Sequence, residues 1–280
     1  MVSGVSITDD AVGQFVRNGF AFFDASNNLQ ELMQKAFDAG DGFFGLDPGR
    51  KAGGDHLPFD TGYRPYGQEY SQSSTHPDEV ESFTVSYRVS NPETLISSIA
   101  AKELHARMLS VFDIFERTAE GITSKLALGF DREPKDLRGT FRKWSLLQFN
   151  YSRPSRTNAE FINDLHEDGC LLTIMSISGS GLELQTGKGF TSVAASKQQV
   201  LVMAGEILWL LTGGEINPVY HRVRTVSSWS TRKSLLFFGD MNPARCDPWI
   251  LNHVNREIDI GKRVLQNSSR FGLSEWLDDN

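Results

Sequence analysis

Cysteine is scarce in this chain. There are two, Cys170 and Cys246, and no Cys-x-x-Cys. Two thiols cannot staple a disulfide scaffold, so a reducing, cytoplasmic setting is expected. Positive charge is not in excess either: 28 Lys and Arg against 35 Asp and Glu give a net charge of -7. That balance leaves no electrostatic footprint for nucleic acid, although a few local cations can still hold an anion in one pocket. The longest apolar run, around Val200 to Leu211, is broken by Gly205 and Glu206 and falls short of a bilayer span. The opening MVSGVSITDD has neither a basic n-region nor an apolar h-region, so no secretory signal is expected, and no lipidation motif is present. Gly40 to Gly54 carries six glycines and a Gly-Arg-Lys. It lacks the Gly-Lys-Ser/Thr ending of a P-loop and reads as a plain loop. Internal repeats and low-complexity tracts are also missing.

What is present, in 280 residues at 39% hydrophobic and 22% charged, is ordinary globular material with enough apolar residues for a core. The first part is helical. Asp9-Asp10 can cap a helix through Ala11 to Arg17. Leu29, Leu32, Met33 and Phe37 recur at helical spacing over Asn28 to Phe43, and Leu104, Met108, Val111, Phe112 and Phe115 do so within one long helix over Ile96 to Leu128. Near Phe141 the character changes to short apolar segments between glycine turns. Strands are expected at Trp144 to Tyr151, Leu171 to Ser176, Leu182 to Gln185, Gln199 to Ala204, Ile207 to Leu211, Tyr220 to Val226 and Arg232 to Gly239. A helix over Ile250 to Gln266 closes the chain. Short strands at this spacing suggest a sandwich or barrel. The expected class is therefore α+β: a double-stranded β-helix (jelly-roll) core flanked by N-terminal helices and a C-terminal helix. It forms one domain over 1–280, divided into a helix-rich part (1–139), the core (140–243) and a C-terminal segment (244–280).

The segment Leu-His-Glu-Asp-Gly places His166 and Asp168 two residues apart. On extended backbone both project from one face and Glu167 from the other. His-x-Asp alone is a weak signal, because most single histidines are satisfied by ordinary hydrogen bonds. It gains weight from His221, which sits in a second expected strand. Two imidazoles and one carboxylate on a facial triangle leave three positions open on an octahedral metal, the arrangement that suits Fe(II). His56, His76, His105 and His253 have no such carboxylate nearby in the pattern.

Eleven residues beyond His221, Arg232-Lys233-Ser234 begins a strand that continues Leu-Leu-Phe-Phe. Arg232 and Ser234 share a face. A buried arginine is costly without an anion, and its planar fork suits a carboxylate. A ligand carboxylate and a solvated strand end are equally good readings of these residues taken alone.

Together these positions resemble the isopenicillin N synthase-like family of Fe(II)/2-oxoglutarate dioxygenases. The family runs Tyr, fourteen residues, His-x-Asp, some fifty residues, His, ten residues, Arg-x-Ser. Here the series is Tyr151, His166-Glu167-Asp168, fifty-two residues, His221 followed by Arg222-Val223, then Arg232-Lys233-Ser234. Gly205-Glu206 to Gly213-Gly214, Asn18-Gly19-Phe20 and Glu81-Ser82-Phe83 also resemble family segments. The likeness is strong over 140–243 and faint before it. One departure is Asn150, displaced by one from the family's Asn-x-Tyr-Pro. The resemblance implies that His166, Asp168 and His221 hold iron. It also implies that 2-oxoglutarate chelates the metal, with its distal carboxylate on Arg232, Ser234 and Tyr151. Oxygen is the other co-substrate and ascorbate an optional reductant. The expected reaction is hydroxylation, with desaturation or cyclisation also open to the family, on a small metabolite such as an amino acid or natural-product intermediate. No nucleic-acid or membrane partner is expected.

The rivals are an iron oxidase of the same fold that needs no 2-oxoglutarate, a zinc hydrolase using the same three ligands, and a binding protein with a dead site. Tyr63, Arg64, Tyr66, Arg142 and Lys143 stand out as polar or aromatic candidates for the pocket wall, each more often a surface or packing residue.

Overall fold

In a computed structural model of the chain, residues 4–51, 61–71, 77–89, 92, 96, 98–137, 139–154, 159–187, 189–194, 196–225 and 231–267 are described. The N-terminal helices start on hydroxyl caps, and in the first of them the cap is Thr8, with the expected Asp9-Asp10 inside the first turn. Thr8 accepts the Ala11 N–H at the head of α1 (Asp9–Asn18), Ser26 accepts the Leu29 N–H at α2 (Asn27–Phe44), and Ser98 accepts the Ala101 N–H at α4 (Ile99–Gly129). The single turn α3 (Pro48–Lys51) lies between α2 and α4. The glycine-rich loop expected over Gly40 to Gly54 is thus helical in its first part. Gly40 to Phe44 belong to α2, and residues 52–54 lie outside the described residues.

Among the described residues there are eleven strands: β1 (Phe20–Asp24), β2 (Gly62–Arg64), β3 (Glu81–Val85), β4 (Leu146–Ser152), β5 (Phe161–His166), β6 (Leu172–Ser178), β7 (Leu182–Thr186), β8 (Gly189–Ser192), β9 (Gln199–Ala204), β10 (His221–Arg224) and β11 (Arg232–Gly239). They form two sheets, β1-β9-β6-β11-β4-β3-β2 and β5-β10-β7-β8. Every pairing is antiparallel. The smaller sheet faces part of the larger one, giving the expected jelly roll.

Period-two alternation splits the large sheet between two environments. On its outer face Leu147, Phe149, Leu235 and Phe237 pack on α2 and α4, whose Leu104, Met108, Val111, Phe112 and Phe115 are fully buried. The Phe112 and Phe237 rings meet edge to face, 5.1 Å apart. On the inner face Met175, Ile177, Leu201, Met203 and Leu236 meet Ile162, Leu182, Leu184 and Val223 of the small sheet. That second, smaller core floors the functional cavity.

Two expected elements differ. Ile207 to Leu211 is a helix, α5 (Glu206–Leu211), instead of a strand. Ile207, Leu208, Leu210 and Leu211 are all buried, and an apolar run this short carries no periodicity that separates a strand from a buried helical turn. Gly213 and Gly214 take positive φ just beyond it. The C-terminal helix is shorter than expected, α6 (Ile260–Gln266), capped by Asp259. Ahead of it Asn255 donates to the Leu210 and Ile250 carbonyls, and Asn252 accepts the Val254 N–H. Such side-chain bonds to backbone compete with helix.

Candidate metal centre and anion site

His166 ends β5 and pairs across the ladder with His221, the first residue of β10. Their ring centroids are 4.4 Å apart. Asp168 reaches them by a different route from the expected pleat, since β5 stops at His166 and Asp168 lies in the following turn. Backbone bonds fasten that turn. Glu206 N–H donates to the Asp168 carbonyl (2.9 Å), Gly205 N–H to Leu171 (3.1 Å) and Ile207 N–H to Cys170 (3.2 Å). Gly205 is required by close approach, because a Cβ there would collide with the Cys170 carbonyl.

One ligand atom from each of the three residues lies within 4.8 Å of the other two. Asp168 Oδ1 stands 3.9 Å from His166 Nε2 and 3.8 Å from His221 Nε2. The ring orientations are specified. Nδ1 of His166 lies 2.6 Å from the Asp164 carbonyl, and Nδ1 of His221 lies 3.0 Å from the Val219 carbonyl. A carbonyl only accepts, so the proton sits on Nδ1 and the Nε2 lone pairs face inward. Burial, then the neighbouring His221, pushes His166 below the usual imidazole range, which keeps it neutral and able to ligate. The Thr173 hydroxyl donates to Asp168 Oδ2 (2.5 Å) and leaves Oδ1 for the metal side. These donors suit a divalent ion of the iron or zinc type, with the remaining positions open to the cavity. Glu167 does not line that cavity and acts electrostatically on Arg263, so the base imagined for a zinc hydrolase is turned away from the three ligands.

The cavity encloses about 140 Å³ and includes Arg232 and Ser234 in its wall. Arg232 is 4% exposed. Its Nη1 donates to Ser234 Oγ (3.3 Å), and Nε is buried with no partner among the described residues. Burial alone pulls the guanidinium down to about 10, still charged at neutral pH. The expected pair is therefore brought together on the inner face, beside the three ligands.

Tyr151 is not. In the β4–β11 ladder Asn150 stands opposite Ser234, and Tyr151 opposite Lys233. Tyr151 accordingly lies on the outer face, stacked on Phe44 at 4.8 Å and 11°, and Asn150 lines the cavity in its place. The one-residue displacement of Asn150 from the family's pattern decides this, because a strand sends successive side chains to opposite faces. Of the other pocket-wall candidates, Tyr63 donates to Glu81 (2.5 Å) and Arg142 pairs with Asp113 and Glu116. Arg64 sits behind the wall, bonded to Glu69, Thr84 and Gln148. Tyr66 and Lys143 do not line the cavity. The sequence reading missed Thr173, Asp78 and Asn163. Asn163 lies three residues before His166 on the same strand, but nothing in the sequence tells which of its neighbours would face it.

A jelly roll that turns two imidazoles and one carboxylate toward an open cavity defines a mononuclear non-haem metal site. Residues 143–240 match the model of the 2OG-Fe(II) oxygenase superfamily. The chain thus carries the domain of a 2-oxoglutarate-dependent dioxygenase, an oxidoreductase whose cofactor set is Fe(II) and 2-oxoglutarate. Solved structures share the fold. The full-length Neurospora crassa protein crystallised with alpha-KG and thymine superposes with a TM-score of 0.72 at 16% identity, covering 92% of this chain and 88% of that one. For JOX2 in complex with 2OG, Fe and JA the values are 0.67, 17%, 83% and 72%. For the dioxygenase for auxin oxidation in rice they are 0.63, 17%, 81% and 75%. No curated sequence matches significantly. Among the described residues, no helix is long and apolar enough to cross a membrane.

Proposed function

We propose that this chain is an Fe(II)- and 2-oxoglutarate-dependent oxygenase of a small metabolite, such as an amino acid or natural-product intermediate. Hydroxylation is its default outcome, and 1–280 acts as one catalytic domain. His166, Asp168 and His221 are the metal ligands in this reading, and Arg232 with Ser234 takes the distal carboxylate of the co-substrate. The observation that carries it is Arg232: a buried guanidinium with no anion among the described residues, in the same cavity as the three ligands. An uncompensated buried charge is costly, and a ligand carboxylate supplies what the fold does not. Asn150, opposite Ser234 on the cavity face, adds a carboxamide to the same wall.

The metal and co-substrate, when bound, supply an oxidant for a substrate C–H bond, with succinate and CO2 released. The chain's own groups do the positioning. The Asp164 and Val219 carbonyls lock the imidazoles, and Thr173 orients the carboxylate. Leu146, Met175, Leu182, Val223, Leu236 and Phe238 form apolar walls that exclude water from the reacting centre.

The test is anaerobic addition of Fe(II) and 2-oxoglutarate, followed through the weak visible charge-transfer band of a chelated keto acid. The band is expected in the wild type and lost in Arg232→Ala at limiting co-substrate. Iron binding without a band would turn the reading to an oxidase that needs no 2-oxoglutarate.

A further inference from the structure

The cavity holds a second buried charge for which iron and co-substrate have no use. Asp78, just ahead of β3, is 7% exposed and lines the same cavity as the three ligands. Its Oδ1 accepts the Ser71 N–H (3.2 Å) and hydroxyl (3.0 Å). Its Oδ2 accepts the Ser71 hydroxyl (2.8 Å) and the Asn163 amide (2.7 Å). These donors orient a carboxylate, and none of them is a cation.

The other acidic wall residues are accounted for differently. Glu69 is neutralised by Arg64 at 2.9 Å and also accepts from Gln148 and Ser82. Asp240 accepts the Leu171 N–H, and burial, with Glu206 adding to the shift, pushes its carboxyl well above the usual carboxylate range. Asp78 rises to about 6 through burial and remains mostly ionised at neutral pH. Among the described residues its hydrogen-bond donors are all uncharged, and a buried carboxylate so placed is stabilised by a cation that enters the cavity.

Asn163, which holds Asp78, precedes His166 by three residues in β5, and a register irregularity against β10 between them lets both side chains line one cavity. A small molecule in that cavity can meet both the carboxylate and the metal side. We propose that Asp78, oriented by Ser71 and Asn163, is the counter-charge for a protonated nitrogen of the primary substrate. The enzyme thereby favours substrates that carry a protonated nitrogen over neutral or purely anionic ones. Arg232 binds the anionic co-substrate and Asp78 the cationic substrate, so one cavity keeps two charged ligands in order. This inference rests on the iron- and 2-oxoglutarate-dependent reading above.

The experiment uses enzyme loaded anaerobically with Fe(II) and saturating 2-oxoglutarate. It is titrated with cyclohexylamine, cyclohexanol and cyclohexanecarboxylate, with binding followed by calorimetry and by the change in the visible band. The ammonium ion is expected to bind at least about tenfold more tightly than the alcohol, and the carboxylate not at all. Asp78→Asn is expected to erase that preference, a loss of about tenfold or more, while its band and its 2-oxoglutarate affinity stay at wild-type values and show that it is folded. Equal binding of the three probes, no ammonium binding at millimolar concentration, or an unchanged preference in Asp78→Asn would overturn the proposal. A missing band in the wild type would instead fault the co-substrate reading, and the proposal would fall with it.

Discussion

Replacing Arg232 by methionine separates the two consequences of a buried charge that waits for a ligand. Burial pulls the guanidinium well below its ordinary value, to about 10, and no anion among the described residues offsets it. At about 1.36 kcal/mol per unit this is a cost of about 3 kcal/mol to the co-substrate-free protein. The sign follows from the direction: a base whose folded value is depressed carries its penalty wherever both states are protonated. The cost is thus fully present at neutral pH and fades only as pH rises through about 10. Methionine fills similar volume without charge. Arg232→Met is therefore expected to raise the melting temperature of the metal- and ligand-free protein by several degrees, at roughly 2–4 °C per kcal/mol for a chain of this size. The same variant should lose about a hundredfold or more in 2-oxoglutarate affinity, because a buried, hydrogen-bonded charge pair is worth roughly 2–5 kcal/mol against truncation. The assays are differential scanning calorimetry of the free protein and calorimetric titration of 2-oxoglutarate into the Mn(II)-loaded protein. A free protein destabilised by the change would show that Arg232 already has a partner. An unchanged co-substrate affinity would remove it from the anion site.

Other expectations follow from the same contacts. Thr173→Val removes the donor on Asp168 Oδ2 and should weaken metal binding about 10–100-fold, read by Co(II) titration with the fold intact by circular dichroism. Gly205→Ala forces a methyl against the Cys170 carbonyl and displaces the Asp168 turn, so metal affinity should fall while the Arg232 site is spared. Asp78 carries a raised carboxyl, so folded and unfolded states are both protonated below about pH 4 and both ionised above about pH 6, where the folded chain bears the full penalty of about 3 kcal/mol. Metal-free Asp78→Asn should accordingly gain stability relative to wild type as pH rises from about 4 to about 7, and parallel melting curves across that range would contradict the burial argument. Phe237→Ala empties the place where its ring meets Phe112 and Phe115, and should cost about 3–5 kcal/mol in denaturant unfolding.

The three candidate ligands and Arg232 were legible because their signals are local or depend on period. His166 and Asp168 are two apart, Arg232 and Ser234 share a strand face, and the apolar run after them announces burial. Helices α1, α2 and α4 were legible for the same reason, down to five of the α4 residues that fill the outer core. The apolar run before Thr212 was not, because so short a run looks alike as helix or strand until the packing is known. Tyr151 was misplaced by family spacing, which measures distance along the chain, whereas a pleat measures parity. One step moved the aromatic ring to the outer face and brought Asn150 inside.

By itself, then, the sequence determined what depends on neighbours along the backbone: the apolar faces of the long helices, the runs that become strands, and the residue types that can hold iron and an anion. Tertiary structure decided what depends on residues far apart meeting. It set the turn that delivers Asp168, the Thr173 hydroxyl that orients it, and the lack of a fixed anion at Arg232 among the described residues. It also set Asp78 in the same cavity wall as His166, although the two lie far apart along the chain. Contact between such distant positions leaves no periodic trace in a sequence, and only the packed sheets bring Ser71, Asp78 and Asn163 together.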